Sequence, residues 1–207
     1  MKKLLKLNLT MSIFLLFNSS VIGQISPQFN QIPASYNVNS QNPVYALDIN
    51  YDIIDLEKQV FHLFLPDTVG SFPLVIFTHG GGYIGGTPDV VLNTVGYQNS
   101  IKYFLENGIA YASLGYRLIN NNEPDTVGVI KCLNDGKRAL QFIRYYANDL
   151  HIDPGKIALL GGSAGASTSY WLGTRSDMAD PNALDPILQQ STRVCAVSMA
   201  QPQATLD

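Results

Sequence analysis

Short apolar runs that alternate with helical segments are the feature that most restricts the fold of this chain. The runs have the continuous apolar character of parallel strands covered on both faces. They lie at residues 74–78, 109–114, 157–160 and 194–199. Helical patterns lie between and after them at residues 100–107, 129–147 and 164–175. Strands that alternate with helices predict a mostly parallel, doubly wound α/β sheet with right-handed crossovers.

Two further strands are predicted before this alternation begins. Apolar and polar residues alternate over residues 45–51, which is typical of a half-exposed strand, and a second strand follows at residues 59–65. The short connection between them predicts an antiparallel hairpin at the edge of the sheet. Neither an internal repeat nor a linker divides the chain. We therefore predict a signal peptide at residues 1–23, a flexible leader at residues 24–44, and one incomplete α/β domain of about six strands at residues 45–207.

Two turns are predicted from glycine and proline. Gly108 follows the helical pattern at residues 100–107 and is placed to end that helix in the left-handed conformation. Asp153, Pro154 and Gly155 precede the apolar run at residues 157–160 and predict a turn.

The first 23 residues have the pattern of a secretory signal. Lys2, Lys3 and Lys6 precede an apolar stretch around residues 7–17, and Gly23 offers a small residue for cleavage before Gln24. A membrane anchor is the alternative, but polar residues interrupt the stretch, and it is short for a span that needs about 20 residues. We therefore expect a secreted or periplasmic protein with no stable membrane anchor after cleavage.

Charge and cysteine content exclude several classes of protein. Thirteen Lys and Arg against 16 Asp and Glu give a net charge of −3, so there is no basic excess to bind a phosphate backbone, and no nucleic-acid partner is predicted. Cys132 falls in a predicted helix and Cys195 in a predicted strand, which favours two separate buried thiols over a disulfide. No cofactor or metal site is predicted.

The first candidate site is the run Gly161-Gly162-Ser163-Ala164-Gly165, which joins an apolar strand to a helix. It fits the G-x-S-x-G nucleophile elbow. On such a turn Ser163 takes a strained backbone conformation, and Gly161 and Gly165 avoid a clash where the chain passes close to itself. Ser163 would then be exposed at a helix N-terminus, whose dipole favours developing negative charge. Ser163 is the predicted catalytic nucleophile.

The second candidate site is the loop His79-Gly80-Gly81-Gly82-Tyr83, after the strand at residues 74–78. Acyl transfer requires hydrogen-bond donors directed at an oxyanion, and consecutive glycines let backbone N–H groups approach it. We predict that Gly81 and Gly82 are donors together with Ala164, the residue after the nucleophile. His79 is predicted to orient this loop rather than to act as the base.

The same loop permits a different interpretation. Gly80, Gly82 and Gly85 match the G-x-G-x-x-G pattern of dinucleotide-binding loops. That pattern needs a helix that opens at once, whereas residues 86–89 continue as loop. In that pattern an acidic residue about 20 residues further on binds the ribose and lies at the end of a strand. Here the acidic residue at that distance, Glu106, lies in a predicted helix. A nucleotide site is therefore disfavoured.

The motifs together resemble α/β-hydrolase esterases, most of all the carboxylesterase and hormone-sensitive-lipase-like branch. In chain order they are His79-Gly80-Gly81-Gly82, Tyr116-Arg117-Leu118, Asp135 with Ala139-Leu140, Asp153-Pro154, and Gly161-Gly162-Ser163-Ala164-Gly165. The resemblance implies an α/β-hydrolase fold and hydrolysis of small carboxylic esters. It implies Ser163 as nucleophile and Gly81, Gly82 and Ala164 as oxyanion donors. For Tyr116 and Arg117 it implies mainly a structural role.

The base and the acid of a catalytic triad are not found in the sequence. In this fold the chain order is Ser, then Asp or Glu, then His, but none of the three histidines, His62, His79 and His151, follows Ser163. His62 and His151 are expected to be solvated, and no acid after Ser163 is assigned a role. The interpretation is an N-terminal part of a longer esterase that is inactive by itself. The alternatives are a non-catalytic hydrolase-like binding module and an inactive fragment.

Overall fold

The computed structural model describes residues 30–31, 44–119 and 126–202. Its strands are β1 (Asn30–Gln31), β2 (Val44–Asn50), β3 (Val60–Leu65), β4 (Phe72–Thr78), β5 (Ala110–Leu114), β6 (Ile152–Gly162) and β7 (Ala196–Ala200). Its helices are α1 (Val90–Asn93), α2 (Val95–Glu106), α3 (Val129–Tyr145) and α4 (Ala164–Thr174). The predicted signal peptide lies outside the described residues, as does most of the predicted leader.

The strands form one sheet of seven in the order β1-β2-β3-β5-β4-β6-β7. Strands β5, β4, β6 and β7 pair in parallel, whereas β1, β2, β3 and β5 pair antiparallel. The predicted hairpin of β2 and β3 is confirmed, and it lies at one end of the sheet, where only the two-residue β1 is outside it. Strand β3 lies inside the sheet between β2 and β5, and all six of its residues are buried.

The helices cover both faces of the sheet, as the doubly wound prediction requires. Alternate residues of β4 contribute to opposite cores. Leu74 and Ile76 pack in one cluster with residues of α3 and α4, and Val75 and Phe77 pack in another with residues of α1 and α2. The chain passes from β4 to β5 on one side and then crosses back to β6 on the other. The carboxyl ends of β4 and β6 therefore meet where the winding reverses, which is where α/β sheets bind ligands.

Several predicted boundaries change in the structure. Helix α2 begins at Val95 rather than at residue 100. Its first turn carries only a weak apolar signal, because Val95 and Gly96 are exposed and only Tyr97 packs against the core. It ends before Gly108, whose φ of +72° confirms the predicted left-handed stop. At the predicted turn of residues 153–155, the chain is instead part of β6. There Ile152 pairs with Phe72 and Ile157 with Leu74, so the extra residues form a bulge.

A buried carboxylate on α3, Asp135, contacts the segment before β3 and the segment after β5. Asp135 is 1% exposed and accepts hydrogen bonds from the Gln59 side chain at 2.9 Å and from the Arg117 backbone N–H at 2.8 Å. The Arg117 guanidinium also contacts it, at 2.7 Å. Because Arg117 follows shortly after the end of β5, its contact with Asp135 fixes that segment against α3.

Two side chains differ from their predicted environments. His62 is fully buried rather than solvated because β3 is interior. Its Nδ1 accepts the backbone N–H of Asp48 at 3.1 Å, and its Nε2 lies 3.0 Å from Asp89 Oδ1. Cys132 and Cys195 are separate thiols that form no disulfide, as predicted, but only Cys132 is buried, since Cys195 directly precedes the outer strand β7. His151 is exposed, as predicted.

None of the helices in the described ranges is long and apolar enough to cross a membrane.

Candidate active site

Ser163 lies in a strained turn between β6 and α4. Its φ of +52° and ψ of −119° are in a region that residues with a side chain rarely adopt. The backbone on both sides fixes the turn: the Ser163 N–H donates to Ala200 O at 2.9 Å, and the Ser167 N–H donates to Ser163 O at 3.0 Å. The residue itself is exposed. The hydroxyl is therefore presented outward by a turn that its neighbours hold in place.

Two glycines permit this turn, for different reasons. A Cβ at Gly161 would lie 2.2 Å from the carbonyl oxygen of Gly165, so the two positions do pass close together as predicted. A Cβ at Gly165 would instead lie 1.9 Å from the carbonyl oxygen of Thr78. The end of β4 therefore excludes a side chain at Gly165. Because Gly165 has none, the start of α4 can pack directly against β4.

The glycine loop after β4 lies against the serine turn. A Cβ at Gly80 would be 3.3 Å from Ser163 Cβ, so the two segments are in contact. Beyond it, Gly81 and Gly82 have φ of +114° and +63°. The N–H groups of Ile84 and Gly85 both donate to Gly81 O at 3.1 Å and close the loop into a tight turn.

Three backbone N–H groups near Ser163 are the predicted oxyanion donors. Within the ranges that the structure describes, no acceptor is paired with the N–H of Gly81, Gly82 or Ala164. Ala164 is the first residue of α4, where the helix dipole adds positive potential. Because the glycine loop contacts the serine turn, these predicted donors lie on two segments that meet at Ser163. Such an arrangement can hold a negatively charged oxygen.

His79 supports the glycine loop from behind. Its ring is 3% exposed and stacks on Tyr116, with ring centroids 4.4 Å apart. Its Nδ1 donates to Gly80 O at 2.7 Å, and the Tyr116 hydroxyl donates to His79 O at 3.1 Å. Burial lowers the pKa of His79 below its ordinary value, so the ring is neutral at pH 7. Gly86 leaves room for the ring, because a Cβ there would be 2.4 Å from Nδ1.

His62 lies on β3, three strands away from β6, which leads to Ser163. In the pairing register it is opposite Ser113, which is opposite Phe77, which is opposite Leu160. Three strand spacings of about 4.8 Å therefore place the His62 backbone roughly 14 Å from the strand that leads to Ser163.

His151 lies at the other end of β6 from Ser163. Residues 157–162 alone, in a strand that rises about 3.3 Å per residue, separate the two by roughly 20 Å. With His79 held against Tyr116, none of the three histidines of the chain is placed as the base of Ser163.

The structure also argues against a dinucleotide in the glycine loop. After Gly85 the chain continues as loop, and α1 begins only at Val90 and has four residues. Its N-cap is the carboxylate Asp89, which would repel a pyrophosphate. In the part of the chain that the structure describes, no group of three or more His, Cys, Asp or Glu side chains could hold a metal ion.

Two contacts of the site were not predicted from the sequence. Ser163 N–H bonds Ala200 at the end of β7, and the Tyr83 hydroxyl bonds Ala164 O at 2.8 Å. The only sequence signal for the second contact is a large aromatic residue directly after three glycines.

A serine elbow at the reversal of a doubly wound sheet, with a glycine loop on the adjacent strand, defines an α/β-hydrolase. The family comparison agrees with this class, since the BD-FAE family model matches residues 61–202. The chain belongs to the BD-FAE family, which consists of α/β-hydrolase-type esterases. Among curated proteins none matches the chain.

Solved structures of an esterase from Thermogutta terrifontis share the fold. Its esterase 2 phosphoramylated by tabun has a TM-score of 0.60 and 23% identity, with 79% of this chain and 58% of that chain covered. The propionate-bound form has a TM-score of 0.58 and 24% identity, with coverage of 76% and 55%. The native form has a TM-score of 0.56 and 25% identity, with 74% of this chain and 51% of that chain covered. The chain thus spans less than two thirds of each.

Proposed function

We propose that the protein is a serine hydrolase that cleaves small carboxylic esters through an acyl-enzyme on Ser163. The observation that carries the proposal is the exposed, strained Ser163 beside the N–H groups of Gly81, Gly82 and Ala164, which have no acceptor among the described residues. Ser163 Oγ attacks the ester carbonyl, and the three N–H groups stabilise the oxyanion that forms. The alcohol leaves as the carbonyl is restored. Water then attacks the acyl-enzyme and releases the acid and Ser163.

The serine needs a base to take its proton and an acid to orient that base. We propose that both lie outside residues 1–207 and that this segment alone turns esters over very slowly. Three observations support this. The chain's histidines are placed elsewhere, and the chain spans 58% of the T. terrifontis esterase structure. In addition, no strand of the described ranges pairs with the outer edge of β7, beside the Ser163 turn.

A fluorophosphonate probe tests the nucleophile directly, because it phosphonylates only an activated serine. T. terrifontis esterase 2 has been solved phosphonylated by sarin, which is itself a fluorophosphonate, so this chemistry is a suitable probe for the fold. We expect the protein expressed from its complete gene to incorporate one probe at Ser163, found by mass spectrometry of the labelled peptide. The Ser163→Ala variant should incorporate none. If Ser163 of the folded protein stays unlabelled, the proposed function is wrong.

A non-catalytic binding module is the second candidate, and the absence of a histidine base at Ser163 is the observation that favours it. The same labelling distinguishes the two. A binding module would leave Ser163 at the weak reactivity of an ordinary hydroxyl, even in the complete protein.

We also propose that the protein is exported by a cleaved signal peptide. The support is the basic start, the short apolar stretch and the small residue Gly23. Expression in a bacterial host with Edman sequencing of the exported product should give a mature N-terminus at Gln24. A cell-associated product that still begins with Met1 would contradict the proposal.

A further inference from the structure

Tyr83 is a large residue in a position that suits glycine. It directly follows Gly82, has a φ of +64° and is 1% exposed. A bulky side chain rarely tolerates this backbone conformation, and such residues persist where the surroundings fix them, often at functional sites. The conformation therefore indicates that the Tyr83 side chain has a role that a glycine could not fill.

The Tyr83 side chain reaches the first residue of α4. Its hydroxyl donates to Ala164 O at 2.8 Å and lies 3.2 Å from the Thr168 hydroxyl. Thr168 in turn donates to the same Ala164 oxygen at 3.2 Å. Burial raises the pKa of Tyr83 above its ordinary value, so the hydroxyl stays protonated and remains a donor.

The backbone and ring of Tyr83 are fixed as well. Its carbonyl accepts the N–H of Ile119 at 2.8 Å, and its ring meets the ring of Tyr116 edge-on with centroids 5.9 Å apart. Tyr116 is the residue on which His79 stacks. Tyr83 is thus held by the segment after β5 while its hydroxyl holds the start of α4.

We propose that Tyr83 is a positioning residue that fixes the distance between the two parts of the oxyanion site. One part is the N–H pair of Gly81 and Gly82, next to Tyr83 in the chain. The other is the N–H of Ala164, whose carbonyl receives the Tyr83 hydroxyl. Donors stabilise a tetrahedral intermediate only when they are placed for the oxyanion before the reaction. The inference rests on the proposed ester hydrolysis at Ser163.

The test compares Tyr83→Phe with the wild-type protein from the complete gene. Losing a whole oxyanion donor lowers kcat by about 10²–10³-fold. Phe keeps the ring and leaves the three backbone donors in place, but it removes the hydrogen bond to Ala164 O that fixes the distance between them. We therefore expect a smaller loss, of about 10–100-fold in kcat for p-nitrophenyl acetate. KM should change less than about twofold, because ground-state binding does not use these donors. The maximal rate of fluorophosphonate labelling of Ser163 should fall by a similar factor.

Tyr111→Phe is the matched control. Tyr111 is also fully buried, but within the described ranges its hydroxyl has no hydrogen-bond partner, and it lies in β5 away from Ser163. We expect its kinetics to equal those of the wild type.

The outcomes separate the two proposals. If the wild type hydrolyses esters and Tyr83→Phe retains full kcat and labelling rate, the role of Tyr83 is overturned alone. The role is also overturned if unfolding of the Tyr83→Phe variant, seen as a lower melting temperature, accounts for its whole loss of activity. The same holds if only its KM rises while kcat is unchanged. If the wild type neither labels nor hydrolyses, the proposed function falls, and this inference with it.

Discussion

Replacing Ser163 with alanine is expected to lower kcat for p-nitrophenyl acetate by about 10⁶-fold in the protein from its complete gene. The loss is large because the acyl-enzyme can form on no other atom of the site. Alanine keeps the small Cβ that lies against Gly80, and the proposed oxyanion donors are backbone groups that remain. Initial rates at saturating substrate, measured against a buffer blank, check the result.

Ser100→Ala provides the control for this substitution. Ser100 is on α2, where its hydroxyl donates to Gly96 O in the same helix. We expect unchanged kinetics there and an unchanged melting temperature for both variants. Hydrolysis that survives Ser163→Ala at more than about a thousandth of the wild-type rate would place the chemistry on another residue.

The Ser163 elbow and the glycine loop could be predicted because both are local. A strand, five residues with glycines at fixed positions, and a helix determine the turn at Ser163. The backbone conformation follows from that short segment. The same holds for Gly108, whose place after an amphipathic helix was enough to predict a left-handed stop.

The environments of His62 and Tyr83 could not be predicted in this way. His62 is buried because β3 pairs with β5, a strand 45 or more residues further along the chain. The Tyr83 hydroxyl finds Ala164 at a separation of 81 residues. Both contacts depend on the order of strands in the sheet, and an apolar run in the sequence does not specify its neighbours. Local motifs therefore identified the candidate site residues, and the topology determined what supports them.

Replacing Gly165 with alanine is also expected to have a large effect. The position is constrained locally by the first turn of α4 and, through the sheet, by the end of β4. Gly165→Ala should gain about 1 kcal/mol from helix propensity, since the residue lies in the first turn of α4. Against this, the new Cβ would lie 1.9 Å from Thr78 O and 2.7 Å from His79 O. Overpacking typically costs about 1–3 kcal/mol and more where backbone must move. We expect a net loss of about 2 kcal/mol or more in the free energy of unfolding, measured by urea denaturation.

Gly96→Ala separates propensity from packing. Gly96 is also in the first turn of a helix, but a Cβ there would meet nothing within 4 Å. We expect it to stabilise the protein by about 0.5–1 kcal/mol. The two variants should therefore differ by about 3 kcal/mol although they make the same chemical change. Equal effects would mean that α4 can move away from β4 at little cost. In that case the contact between the two segments would not hold the N–H groups of Gly81, Gly82 and Ala164 in place, and the oxyanion site could not be preorganised.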